Sequence, residues 1–155
     1  MKTIKFMLLV MLGFSGMLSG AAVAAPADEQ LTREAIQAQR KAIVANAMEL
    51  TTEEAKGFWP VYDGYWEEKN KLIGRTVNLI TFYADNWGSV TDEKAEAMLK
   101  EWFSIEQAEL NLKKKYLGKF KRVLPEKKVM RYFQVENKLD AIINLELARG
   151  IPLVQ

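Results

Sequence analysis

The sequence predicts an all-α fold: four helices built around a long antiparallel helical hairpin, with the second helix kinked near Pro60. Three observations predict it. Phe58, Tyr62, Tyr65, Lys69, Leu72, Thr76, Leu79 and Tyr83 recur at alternating four- and three-residue steps, the seam of a helix packed along a partner. After a short turn, Asn-Trp-Gly-Ser-Val-Thr-Asp, the same stepping returns in Ala95, Met98, Trp102, Ile105, Glu109, Leu112 and Tyr116. Helix start and stop residues flank each segment.

The elements follow in order. Lys2 and Lys5 precede an apolar run from Phe6 to Leu18, and small residues lead to Ala22-Val23-Ala24. That order is expected of a cleavable secretory signal over residues 1–24, leaving 25–155 as a single helical domain in the periplasm. The run is shorter than the about 20 residues a membrane span needs. A first helix is expected from about Glu29 to Ala47, in a stretch rich in Ala, Gln, Arg and Lys. Thr51 and Glu54 form a capping box for the second, which reaches about Asp85. Thr91, with Asp92 and Glu93 behind it, starts the third, running to about Arg122. Pro125 opens the fourth, at a position where its missing N–H is harmless, and Gly150 and Pro152 stop it.

The hairpin predicts a register. With the turn at Gly88 and Ser89, Leu79 faces Met98, Leu72 faces Ile105 and Tyr65 faces Leu112. Lys69 then falls opposite Glu109, and an ion pair across the seam is expected. Pro60 removes one backbone hydrogen bond and clashes with the preceding turn, so the helix should kink or restart near Gly57 to Pro60.

Composition bounds the chemistry. The chain has no cysteine and no histidine, which excludes thiol chemistry, Ser-His-Asp arrangements, histidine-ligated zinc or haem, and histidine pH switches. Outside the expected signal region only Met48, Met98 and Met130 remain, thin for a thioether copper site. The carboxylate pairs lie at helix starts or on solvated faces, and no loop alternates oxygen ligands as calcium sites do. No enzyme activity, cofactor or metal is expected.

Two features could bind a partner. Phe58, Trp59, Tyr62, Tyr65 and Trp66 fall within nine positions. They are either core or, because five rings exceed one narrow seam, partly a surface for other proteins. From Lys113 to Arg131 there are nine basic residues against Glu126 alone. This stretch either neutralises itself against the acidic arm or forms an electropositive patch for acidic partners or anionic lipid heads. The candidate contact residues are Phe58, Trp59, Tyr62, Trp66, Lys113, Lys114, Lys115, Lys119 and Arg122. The apolar tail Ile-Pro-Leu-Val-Gln is expected to fold back onto the core.

The layout of a short first helix, long hairpin and fourth helix, with Leu50-Thr51-Thr52-Glu53-Glu54 and the weaker Val90-Thr91-Asp92-Glu93-Lys94 at helix starts, resembles the Spy/CpxP class of periplasmic proteins. That class is known for repeated Leu-Thr-x-x-Gln motifs, and both segments depart from it at the last position. The resemblance implies a bent, cradle-like helical dimer that binds non-native proteins or a sensor kinase's periplasmic domain during envelope stress. The function expected is a non-enzymatic protein-binding module, chaperone-like or a stress-signalling adaptor, independent of ATP and metal. The alternative is a helical bundle enclosing a small apolar ligand or lipid among Trp59, Trp66, Trp102 and Phe103.

Overall fold

The computed structural model describes residues 26–154, all of whose regular structure is helical. The expected signal segment lies outside them. Helix α1 spans Pro26–Met48, α2 Thr52–Asn86, α3 Asp92–Phe120 and α4 Glu126–Gly150. At about 1.5 Å per residue, the 35 residues of α2 and the 29 of α3 make rods of roughly 50 and 45 Å.

Caps fix the helix starts. The Glu54 N–H donates to Thr51 Oγ1 at 3.3 Å, and the Thr51 N–H donates to Glu54 Oε2 at 2.8 Å, so the capping box is complete. Thr91 Oγ1 accepts from the Lys94 N–H at 3.4 Å. Between α2 and α3 the backbone turns through Gly88 at φ 85°, the left-handed region that favours glycine.

α2 and α3 form the antiparallel hairpin, and α4 packs beside α1. Arg75 meets Glu101 and Phe58 meets Phe120, each within a residue of the predicted register. Between these two contacts Tyr65 packs on Tyr116, one turn beyond Leu112. Contacts from Lys128 to Glu54 and from Tyr83 to Pro152 show α4 running parallel to α2. Contacts from Arg40 to Asp140 and Arg131 to Glu49 show α1 antiparallel to α4. The four helices therefore alternate up, down, up, down.

The aromatic stretch forms the core. Phe58, Tyr62, Tyr65 and Trp66 are buried, with Val44, Met48, Leu112, Tyr116, Phe120, Leu124, Val129 and Tyr132. Phe120 and Tyr132 are 4.5 Å apart by ring centroid, and Phe58 lies 5.0 to 5.7 Å from Trp59, Tyr62, Phe120 and Tyr132. Each such pair adds about 0.5–1.5 kcal/mol beyond its area. Close approach is needed here: a Cβ on Gly57 would sit 3.0 Å from Val123 Cβ. Among the described residues, only Ala84 and Ile105 are buried apolar residues in the half of the hairpin nearer its tip.

One expectation is corrected. Lys69 does not pair with Glu109; its Nζ donates to Glu136 Oε1 and to Asp140 Oδ1 at 2.8 Å, both on α4. Lys69 therefore points past α3 into the α1–α2–α4 junction, where Arg40 also reaches Glu136 at 3.0 Å and Asp140 at 2.8 Å. Of the kink or restart expected near Gly57 to Pro60, the restart does not occur: the proline lies inside a continuous helix, exposed on its outer side, where the unpaired Lys56 carbonyl can meet water.

Candidate functional site

α3 presents apolar side chains on two faces. Ile105, Leu112, Tyr116 and Phe120 are buried, and Met98 shares their face by helical spacing. Leu99, Phe103, Leu110 and Leu117 form a second row at steps of four, seven and seven residues, yet they are exposed, Phe103 by 63 %. At 100° per residue, Leu110 lies about 140° around the helix from Ile105, too far to enter the α2–α3 seam. Trp102, half exposed, stacks on Phe103 at 5.5 Å with planes 8° apart, and its Nε1–H donates to Glu106 Oε1 at 3.3 Å. Further exposed apolar residues are Phe82 on α2 and Met130, Ile142, Ile143 and Leu145 on α4. Scattered single apolar residues are ordinary, but a contiguous stripe is a binding signal.

The residues expected to bind divide by burial. Phe58, Tyr62 and Trp66 are sealed in the core, so they offer no surface. Trp59 alone of the four is partly exposed, with Lys41 Nζ 5.1 Å above its ring. α1 covers this side, and Arg40 stacks on Trp66 at 4.7 Å. Burial drives the hydroxyls of Tyr62, Tyr65 and Tyr132 far above the usual phenol range, with the Glu136 charge pushing the same way, and all three stay protonated.

The basic stretch is largely neutralised. Lys115 bonds Glu68 at 2.6 Å, Lys121 pairs with Glu126 at 3.1 Å, Arg131 with Glu49 at 2.8 Å, and Lys113 approaches Asp140 at 3.9 Å. Lys128 holds Glu54, whose carboxyl lies below the usual range through that bond and the Thr51 cap. Lys119 sits 3.9 Å over the Tyr116 ring. Burial and a hydrogen bond to Glu68 push the Tyr116 hydroxyl up to about 12. Among the described residues no ion pair forms at Lys114, Arg122 or Lys127, and all three are exposed. Lys114 borders the Leu110–Leu117 row, with Lys121 seven residues after it and Lys100 fourteen before it along the same border.

An open groove of about 630 Å³ lies between α2 and α3, lined by Gly64, Glu68, Leu72, Leu112, Lys115 and Tyr116 among others. Its walls mix paired charges with short apolar edges. Trp59, Trp66, Trp102 and Phe103 do not line one cavity, since Trp66 is core while Trp102 and Phe103 face solvent on α3. Among the described residues no group of three or more carboxylates could hold a metal ion, and no helix is long and apolar enough to cross a membrane.

Sequence reasoning missed the outer row because Phe103, Leu110 and Leu117 read as the margin of the inner seam. The available signal was width: one facing helix cannot cover an apolar arc of about 140°. No protein-family model, curated protein or solved structure matches the chain, so the Spy/CpxP resemblance rests on the helix-start residues and layout alone.

Proposed function

We propose that this protein is a non-enzymatic, exported protein-binding module of the periplasm, chaperone-like or a stress-signalling adaptor, which holds apolar segments of other polypeptides without ATP or a metal. The observation that carries the reading is the outer row of α3: Leu99, Phe103, Leu110 and Leu117, with Trp102 stacked on Phe103, exposed on a rigid rod whose other face is packed. Aromatic and aliphatic anchors on a preorganised element give broad, weakly selective affinity. The unpaired Lys100 and Lys114 beside the row favour acidic clients and speed encounter. The N-terminal order of charged, apolar and small residues supports export.

The test is suppression of aggregation of a reduced, unfolding client by the mature chain. Phe103→Ser with Leu110→Ser should weaken suppression several-fold while thermal unfolding stays within about 0.5 kcal/mol of the parent, because both residues are exposed. Full suppression by that double variant would overturn the proposal.

A second reading has its own observation. Around Leu110, the row is self-complementary under a two-fold axis: Phe103 would meet Leu117, and Glu106 would meet Lys113 or Lys114 of a second copy, the pattern of an isologous interface. Sedimentation equilibrium separates the readings. A dimer lost on Leu110→Glu would mean the row is covered by a second copy, leaving clients to other surfaces.

A further inference from the structure

The tip of the hairpin grips another part of the chain by its backbone. Tyr83 Oη donates to the Pro152 carbonyl at 2.8 Å, and Trp87 Nε1–H donates to the Leu153 carbonyl at 3.3 Å. The two donors lie one helical turn apart, and they take two consecutive carbonyls. Ile151 leaves α4 with extended backbone, φ −94° and ψ 115°, and Pro152 cannot extend a helix. The side chains of the held segment are turned away: Leu153 is 89 % exposed and Val154 56 %. What the tip recognises at Leu153 is therefore main chain, common to every residue type.

We propose that Tyr83 and Trp87 form a binding site for extended polypeptide read through its carbonyls, and that residues 151–154 are its resident, displaceable occupant. Each hydrogen bond contributes about 0.5–1.5 kcal/mol net, while fixing one extended residue costs about 1–2 kcal/mol. Two bonds barely offset the ordering of the segment. Occupancy is sustained by the tether, which holds the segment at an effective concentration in the millimolar range. A second extended chain at comparable local concentration competes on equal terms, because the site asks only for spaced carbonyls. The site shares no residue with the α3 row, so it stands or falls separately from the function proposed above.

The experiment titrates a dye-labelled peptide, Ile-Pro-Leu-Val-Gln, into the mature chain and into a variant carrying Ile151→Gly with Pro152→Gly. The glycines raise the entropy of the free segment and leave both donors intact. Peptide affinity should rise about tenfold in the glycine variant, and the Trp87 indole N–H resonance should shift on binding. Adding Tyr83→Phe with Trp87→Phe should abolish that gain. Equal affinity for both tails, or binding that survives loss of the two donors, would overturn the proposal. Aggregation suppression through α3 should not change in the Tyr83 and Trp87 variants, which keeps the two sites distinguishable.

Discussion

Single residues show why charge placement had to wait for three dimensions. Glu109 and Lys69 share the hairpin seam in sequence, yet Lys69 binds Glu136 and Asp140 and leaves Glu109 half-buried with no ion pair among the described residues. Burial raises the Glu109 carboxyl above its usual value, only partly opposed by the Lys69 and Lys113 charges. A carboxylate with a raised folded value binds its proton more tightly in the folded state, so it weakens folding at neutral pH and this penalty fades as pH falls below the unfolded value. Glu109→Gln should therefore raise the melting temperature at pH 7 by about 1–3 °C. The gain should vanish below about pH 4, where both states of the parent are protonated. Asp140 behaves in the opposite sense. Burial raises it, but Lys69 and Arg40 overcome this and hold it below the carboxylate range, so its contribution is present at neutral pH and lost as pH falls through the depressed value. A gain from Glu109→Gln that is the same at every pH would show that burial of charge is not its origin.

The elements are joined by that same cluster of charges. Arg40 from α1, Lys69 from α2 and Glu136 with Asp140 from α4 meet in the interior, where Arg40 Nε and Tyr132 Oη have no hydrogen-bond partner among the described residues. Such a network repays its desolvation only when complete, and it fixes which helices meet more than it stabilises them. Lys69→Met leaves Glu136, 2 % exposed, with Arg40 alone, and should destabilise by about 3–5 kcal/mol in denaturant melts. Replacing all four members by apolar residues of similar size should instead be near neutral. Equal losses in the two variants would mean the network stabilises outright. The capping boxes, by contrast, act within one element, and for that reason Thr51 and Glu54 were readable from spacing alone.

At the scale of the whole molecule, the buried rings gather where the α1–α2 and α3–α4 turns lie, and the far half of the hairpin is held mainly by its single α2–α3 seam and surface pairs such as Arg75–Glu101. Stability should grade along the rods. Amide exchange is expected to be slowest in residues 58–69, 112–120 and 129–136. It should be distinctly faster in 73–104 and 140–150, through sub-global openings that leave the core intact. Uniform protection along α2 and α3 would show that the hairpin opens only as one unit. An exposed row that starts in the loosely held half at Leu99 and ends beside the core at Leu117 also suits a protein that adapts to varied partners.

Periodicity, caps and punctuation in the sequence determined four helices, their boundaries to within about three residues, the hairpin and its approximate register at Arg75 and Phe58, because all of these are local or follow from one short turn. The tertiary structure alone decided which rings were core, which lysines were neutralised and where Lys69 pointed. Those outcomes depend on which helix covers each face. Helical spacing places side chains around a rod but says nothing of what stands opposite a second face, so α4 took Lys69, α1 covered Trp66, and the outer row of α3 was left to solvent.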